Sequence, residues 1–149
     1  MLTPTKKGQY ALRAIYELAK RKDDGPVKIS IIAEAQAIPP RFLEVILNQF
    51  KGSGLVESKR GFYGGYSLTR KPSEITVGDV LRYLQKEMEA SHCIACVSKQ
   101  SCPFQDDCVF SSMWHRVKAA AYKIYDETTM QDLLNTNTSD TVPEPPVVG

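Results

Sequence analysis

Apolar residues recur at helical spacing over residues 6–22, at Tyr10, Leu12, Ala14, Ile15, Leu18 and Ala19, and Asp23-Asp24-Gly25-Pro26 then breaks the run. Val27-Lys28-Ile29 reads as a short extended piece, and Ser30 is placed to cap a second helix with Ile32, Ala33 and Ala35 inward. A tight turn at Ala37-Ile38 precedes a third helix opened by Pro39-Pro40, since proline suits the first helical turn. Phe42, Leu43, Val45, Ile46, Leu47 and Phe50 are its apolar positions, and Gly52-Ser53-Gly54 closes it. Leu55–Ser58 and Tyr66–Leu68 flank the Gly-rich stretch Lys59–Gly65, the pattern of a β-hairpin. Ile75-Thr76-Val77 leads into a helix from about Gly78 to Glu87, and a longer amphipathic helix runs from about Phe110 to Tyr125. Thr128 or Thr129 is placed to cap a last short helix. The segment from Asn135 to Gly149 is polar and Pro-rich and reads as a disordered tail.

Three helices followed by a hairpin is the order of a winged helix-turn-helix, in which the second and third helices form the turn unit and the third enters the major groove of DNA. The expected fold is therefore mainly α with a small β-hairpin wing and a long C-terminal helix. The chain divides into a winged helix-turn-helix at 1–72, a linker helix, cysteine loop and dimerisation helix at 73–134, and the tail at 135–149. Phe110, Met113, Trp114, Val117, Ala120, Ala121, Ile124 and Tyr125 form a stripe wider than the N-terminal core can cover. A second copy would bury it, giving a homodimer matched to a palindromic operator.

Composition narrows the class of partner. The chain has 149 residues, 42% hydrophobic and 24% charged, enough for one domain or a domain with an appendage. No apolar run approaches the roughly 20 residues needed to span a bilayer. Met1-Leu2-Thr3-Pro4-Thr5-Lys6-Lys7 lacks the pattern of a signal peptide, so a cytoplasmic setting with reduced thiols is expected. The net charge of +2 conceals a division: residues 1–71 carry 13 basic and 6 acidic groups, and residues 72–149 carry 6 basic and 11 acidic groups. A half at +7 and a half at −5 suggest that the first meets a polyanion. An enzyme is disfavoured, because no phosphate-cradling loop joins a strand to a helix and His92 and His115 lack nucleophile and acid partners.

Double-stranded DNA needs cations for phosphates and a few side chains for base edges. On the third helix Pro39, Pro40, Arg41 and Glu44 come first; Arg41 can fork onto guanine and Glu44 can accept from a cytosine amino group. In the wing, Lys59, Arg60 and Gly61 sit at the hairpin tip, where Arg60 could enter a narrow minor groove. Gly61, Gly64 and Gly65 allow positive φ and close backbone approach, while Phe62, Tyr63 and Tyr66 are expected to support the hairpin.

Four cysteines follow in the pattern Cys93-x2-Cys96-x5-Cys102-x5-Cys108. Thiolates so close together can converge on one soft-metal centre, an iron–sulfur cluster ahead of zinc, with a thiol-only redox switch as the remaining reading. A structural zinc site more often shows two short Cys pairs, and only Cys93 and Cys96 are that close. His92 and His115 read as solvated or packed side chains rather than ligands.

Lys7-Gly8-Gln9-Tyr10-Ala11-Leu12-Arg13, Phe42-Leu43-Glu44-Val45-Ile46-Leu47 and Gly54–Gly61 with Gly64-Gly65-Tyr66-Ser67-Leu68 closely resemble the IscR/NsrR/CymR-type bacterial transcription regulators, the Rrf2 family. The resemblance covers about residues 1–134 and rests most specifically on Arg60-Gly61-x-x-Gly64-Gly65-Tyr66. It implies a homodimer with a crossed dimerisation helix, and it implies that Arg41, Glu44 and Arg60 lie where family members touch DNA. Cluster-binding members hold a [2Fe–2S] or [4Fe–4S] cluster through three loop cysteines, and others have none. Cys102 and Cys108 match the last two ligands; Cys93 matches the first by position, although Cys96 has the gap seen in some relatives. The fourth ligand of some members is a histidine where this chain has Ser111, and of others an acidic residue near the position of Gln9. The extra cysteine can supply that ligand. The resemblance implies a regulator whose operator affinity changes when the cluster is lost or oxidised through iron limitation, oxygen or nitric oxide. A cluster-free regulator using its thiols directly, or a zinc-stabilised interaction module, are the alternatives.

Overall fold

Thr5 sets the start of α1 (Lys6–Lys20): its Oγ1 accepts from the Gly8 N–H at 3.2 Å, satisfying one of the orphan donors of the first turn. These coordinates are a computed structural model, and they describe residues 4–85, 103–104 and 107–136. α1 buries Ala14, Ile15, Leu18 and Ala19 as its apolar spacing predicts, and Ala11 with them, while Tyr10 and Leu12 are half-buried against the core. A 3₁₀ turn at Lys22–Asp24 and Gly25 at φ 80° reverse the chain.

α2 (Ile29–Gln36) begins two residues ahead of expectation, taking in Ile29 from the predicted extended piece. Its N-cap is Lys28, in extended backbone and without a side-chain cap, so Ser30 lies inside the first turn, exposed, and caps nothing. Ile32 and Ala33 are buried as expected, but Ala35 points outward. α3 (Pro40–Phe50) follows, with Leu43, Ile46, Leu47 and Phe50 buried. A 3₁₀ turn at Lys51–Ser53 and Gly54 at φ 75° release the chain into the hairpin β1 (Val56–Lys59) and β2 (Gly65–Leu68). The strands pair antiparallel in the register Val56–Leu68, Glu57–Ser67, Ser58–Tyr66 and Lys59–Gly65. The predicted extended piece before α2 joins them: Val27 and Tyr66 exchange both backbone hydrogen bonds at 2.8 Å, giving the wing a third edge.

α4 (Val77–Gln85), α5 (Ser111–Glu127) and α6 (Met130–Asn135) complete the described elements. Thr129 caps α6 through a reciprocal box with Asp132, as its position predicts. The Thr76–Thr129 bridge and the Met130 N–H to Ile75 carbonyl bond (2.8 Å) stitch the starts of α4 and α6 together. Ile75, Val80, Leu81 and Met130 thereby enter one core with α1, α2 and α3. Asn135, where the tail is expected to begin, is instead the last residue of α6 with Thr136 as its C-cap, and the rest of the expected tail lies outside the described residues. No helix among them is long and apolar enough to cross a membrane.

Among the described residues Glu17 is the one buried charged side chain, 1% exposed, accepting from Arg21 Nε at 2.6 Å and from Gln36 Nε2 at 2.7 Å. It ties α1 to the end of α2. Burial pushes its carboxyl up, but the Arg21 and Gln36 hydrogen bonds and the nearby cations outweigh this and hold it below the usual value near 4.5. Glu17→Ala is expected to cost about 1.5–3 kcal/mol at neutral pH, because it strips bonds to a charged acceptor and leaves Gln36 without its partner. Since the folded pKa is the lower one, Glu17 adds stability above the unfolded value and loses it as pH falls through the folded value. Denaturant melts of both proteins at pH 7 and pH 3 should therefore show the gap narrowing in acid.

Candidate nucleic-acid interface

The turn between α2 and α3 is short and fixed. Ala37 takes the left-handed conformation at φ 53°, Ile38 is buried and donates to the Ala33 carbonyl at 3.0 Å, and Pro39-Pro40 then starts α3. With Leu43, Ile46, Leu47 and Phe50 turned inward, α3 presents Pro39, Pro40, Arg41, Glu44, Val45 and Asn48 to solvent. Arg41, Glu44, Val45 and Asn48 form one outward stripe at helical spacing. Sequence reasoning identified Arg41 and Glu44 but counted Val45 with the core, whereas it is 56% exposed. Phe42 lies to one side at 43% exposure, edge-on to Tyr10 of α1 with ring centroids 5.5 Å apart.

The base of the wing is bonded to this stripe. The buried Tyr66 hydroxyl donates to Asn48 Oδ1 at 3.3 Å, and Lys51 Nζ lies 5.6 Å from the Tyr66 ring centroid. Burial, and after it the negative charge of Glu44, raises the Tyr66 phenol above its usual range, so it stays a donor. α3 and the wing are thus one surface.

Two glycines have steric reasons. A Cβ on Gly65, at φ 153°, would run into the Val27 backbone, and a Cβ on Gly64 would strike the Lys59 carbonyl. Lys59, Arg60 and Gly61 are exposed around the turn. Tyr66 supports the hairpin as expected, but Phe62 and Tyr63 do not: they stand out at 79% and 84% exposure. Lys28, the N-cap of α2, brings its Nζ to 4.9 Å from the Phe62 ring centroid.

Of the four cysteines only Cys108 is described; Cys93, Cys96 and Cys102, like His92, lie outside the described residues. Cys108 is a free, half-buried thiol just ahead of α5, and its carbonyl accepts from the Ser111 N–H at 3.1 Å. His115 is exposed with Nδ1 at 2.7 Å from the Ser111 carbonyl, and Gln9 is exposed on α1. Among the described residues no three His, Cys, Asp or Glu side chains form a metal-binding group. α5 itself buries no residue fully: Met113 and Ile124 are 45% and 63% exposed, Trp114, Val117, Ala121 and Tyr125 are half-buried, and its N-cap Phe110 is 58% exposed. Arg82 of α4 clamps its far end with two hydrogen bonds to Asp126, at 2.5 and 2.6 Å.

A profile of the Rrf2 family, described as "Iron-dependent Transcriptional regulator", matches residues 4–136. The chain belongs to the Rrf2 family. Among its relatives, it is similar to the HTH-type transcriptional regulator CymR of Bacillus subtilis (strain 168), 32% identical over 127 residues that cover 85% of this chain and 86% of that protein. The HTH-type transcriptional regulator IscR of Yersinia enterocolitica is 32% identical over 131 residues, covering 88% of this chain and 78% of the relative. The solved structure "T. potens IscR" superposes with a TM-score of 0.72 at 30% identity, covering 94% of this chain and 92% of that one. This Rrf2 protein is accordingly a DNA-binding transcriptional regulator with a winged-helix fold, in a family of regulators rather than enzymes.

Proposed function

We propose that this Rrf2 protein binds a palindromic operator as a homodimer, reading bases with α3 and the adjoining groove with the wing, and that its cysteines set the operator affinity. The observation that carries the DNA-reading part is the single outward stripe of Arg41, Glu44, Val45 and Asn48, bonded through Tyr66 to the hairpin that bears Lys59 and Arg60. In this reading Arg41 and Glu44 meet base edges, Pro39 and Pro40 shape the helix start against the backbone, and Lys59, Arg60 and Gly61 approach the minor groove. Arg60→Ala is expected to weaken operator binding about tenfold and to lower the salt slope by about one unit, because one phosphate-neutralising cation is lost. Fluorescence anisotropy titrations at several salt concentrations check this, using a duplex selected from a random pool by the parent protein. Unchanged affinity and slope would remove Arg60 from the interface.

The cysteines suit an iron–sulfur cluster by their chemistry: four soft thiol donors, of which Cys108 is free and half-buried at the foot of α5. Cys93, Cys96, Cys102 and Cys108 would hold it, with Cys96 or Cys93 supplying the fourth thiolate. When bound, such a cluster supplies a redox-sensitive and dissociable link between the end of α4 and the start of α5. The chain's own contacts offer a route from there to the DNA face. Cys93 follows α4 by eight residues in the sequence, and within α4 the Tyr83 hydroxyl donates to the Gln49 carbonyl of α3 at 2.6 Å and the Tyr83 ring lies 5.1 Å from that of Phe50. The description of the family as iron-dependent favours this reading. A second reading, direct thiol sensing without a cluster, is favoured by the likeness to CymR, whose solved structure is titled "the Global Cysteine Regulator of B. subtilis" and superposes with a TM-score of 0.70. Iron and sulfide analysis of anaerobically purified protein separates the two.

A further inference from the structure

The aromatic pair at the wing tip has no structural task that would keep it. Phe62 and Tyr63 are 79% and 84% exposed, so neither supports the core, and Tyr66 with Gly64 and Gly65 already fixes the hairpin. Their rings pack edge to face, 5.0 Å apart at 88°. They occupy the two corner positions of a turn closed by the Gly64 N–H to Gly61 carbonyl bond at 3.0 Å. Gly61 at φ 109° and the Lys59 carbonyl, which leaves no room for a Cβ on Gly64, give that turn a shape few residues allow. The rings are therefore presented outward at the two corners of that turn. Their setting is cationic: Lys28 Nζ sits 4.9 Å from the Phe62 centroid, and Lys59 and Arg60 are exposed immediately before the turn. An apolar projection ringed by positive charge, in the half of the chain with a net +7, is complementary to a polyanion that also offers flat apolar surface. Duplex DNA fits that description, with phosphates to suit the cations and base steps to suit the rings.

We propose that Phe62 and Tyr63 form a wedge that enters a base step of the minor groove, partly unstacking it and bending the operator. A minor groove about 6 Å wide admits one ring edge at a time, which suits a pair set at right angles. The favoured step is a pyrimidine–purine step, which unstacks most readily, so the wing would read the operator through deformability as well as through Arg60. This rests on the wing lying in the minor groove.

The test uses the full chain and a duplex selected from a random pool by the parent protein. End-to-end energy transfer measures the bend, 2-aminopurine at the wing-proximal step reports unstacking, and the salt slope of binding is recorded alongside. Phe62→Ala with Tyr63→Ala is expected to weaken binding about tenfold, to straighten the duplex and to abolish the 2-aminopurine signal. The salt slope should stay unchanged, since no phosphate contact is lost. Phe62→Leu should retain the bend, because an apolar wedge need not be aromatic. Binding by the parent without a bend, or a double variant that keeps the parent's bend and 2-aminopurine signal, overturns the wedge whatever happens to affinity. A parent protein that selects no duplex instead overturns the DNA-reading proposal beneath it. Both residues are exposed, so matching thermal melts are the control for folding.

Discussion

Met113→Glu is expected to leave this Rrf2 protein folded but monomeric, and to lower operator affinity by about 10²–10⁴-fold. Met113 lies on the part of α5 that the described fold does not cover; it is 45% exposed, with Phe110 at 58% to one side and the half-buried Trp114 next to it. In the proposed dimer this face meets its own copy, so one substitution places two carboxylates in an apolar seam, each facing desolvation and the other's charge. Within one chain the site is open, and stability should change by no more than about 0.5 kcal/mol. The large effect on DNA binding arises because a dimer's second reading head engages as an intramolecular event once the first is seated. A monomer loses that effective concentration without losing a single contact from either head. Sedimentation velocity gives the oligomeric state and a titration of the selected duplex gives the affinity. A variant that remains dimeric, or a monomer that binds as tightly as the parent, contradicts the proposed role of α5.

Much of this organisation was legible in the residues, and the failures have physical causes. The start of α3 at Pro39-Pro40, the turn at Ala37 and the Thr129 cap of α6 follow from local backbone chemistry, which sequence carries directly. The family resemblance, carried by the runs 7–13, 42–47, 54–61 and 64–68, is upheld by the match over residues 4–136. Val45 went unrecognised because residues 42–47 of α3 are nearly all apolar, and periodicity cannot tell an outward valine from an inward one in such a run. Asn48 became visible only through Tyr66, a partner 18 residues away across the wing. The role of Glu17 is not legible locally, because Gln36, one of its two partners, is 19 residues distant. Ser30 misled because extended backbone at Lys28 begins α2 without any side-chain cap. Phe62 and Tyr63 were given a supporting role by their residue type, yet the glycines around them turn the rings outward.

The second large effect concerns the cysteines. Cys102→Ser or Cys108→Ser is expected to abolish the response of operator affinity to metal or redox state while leaving the fold intact. At Cys108 the structural bond runs from the Ser111 N–H to the backbone carbonyl, which serine preserves. In the parent protein a change at the cysteines would reach α3 through α4, where Tyr83 rests on Phe50 and bonds the Gln49 carbonyl. A coupling of about 1–3 kcal/mol suffices for a 5- to 150-fold change in affinity. Trimming the contact with Tyr83→Phe should reduce that ratio, since the hydroxyl's bond to α3 is lost and the ring retained.

The most direct measurement is the affinity of the full-length protein for its selected duplex, taken anaerobically after reconstitution with iron and sulfide and again after chelation or oxidation. The account predicts a difference of about 5- to 150-fold between the states, absent in Cys102→Ser and Cys108→Ser. Equal affinity in every state of the parent protein would contradict it.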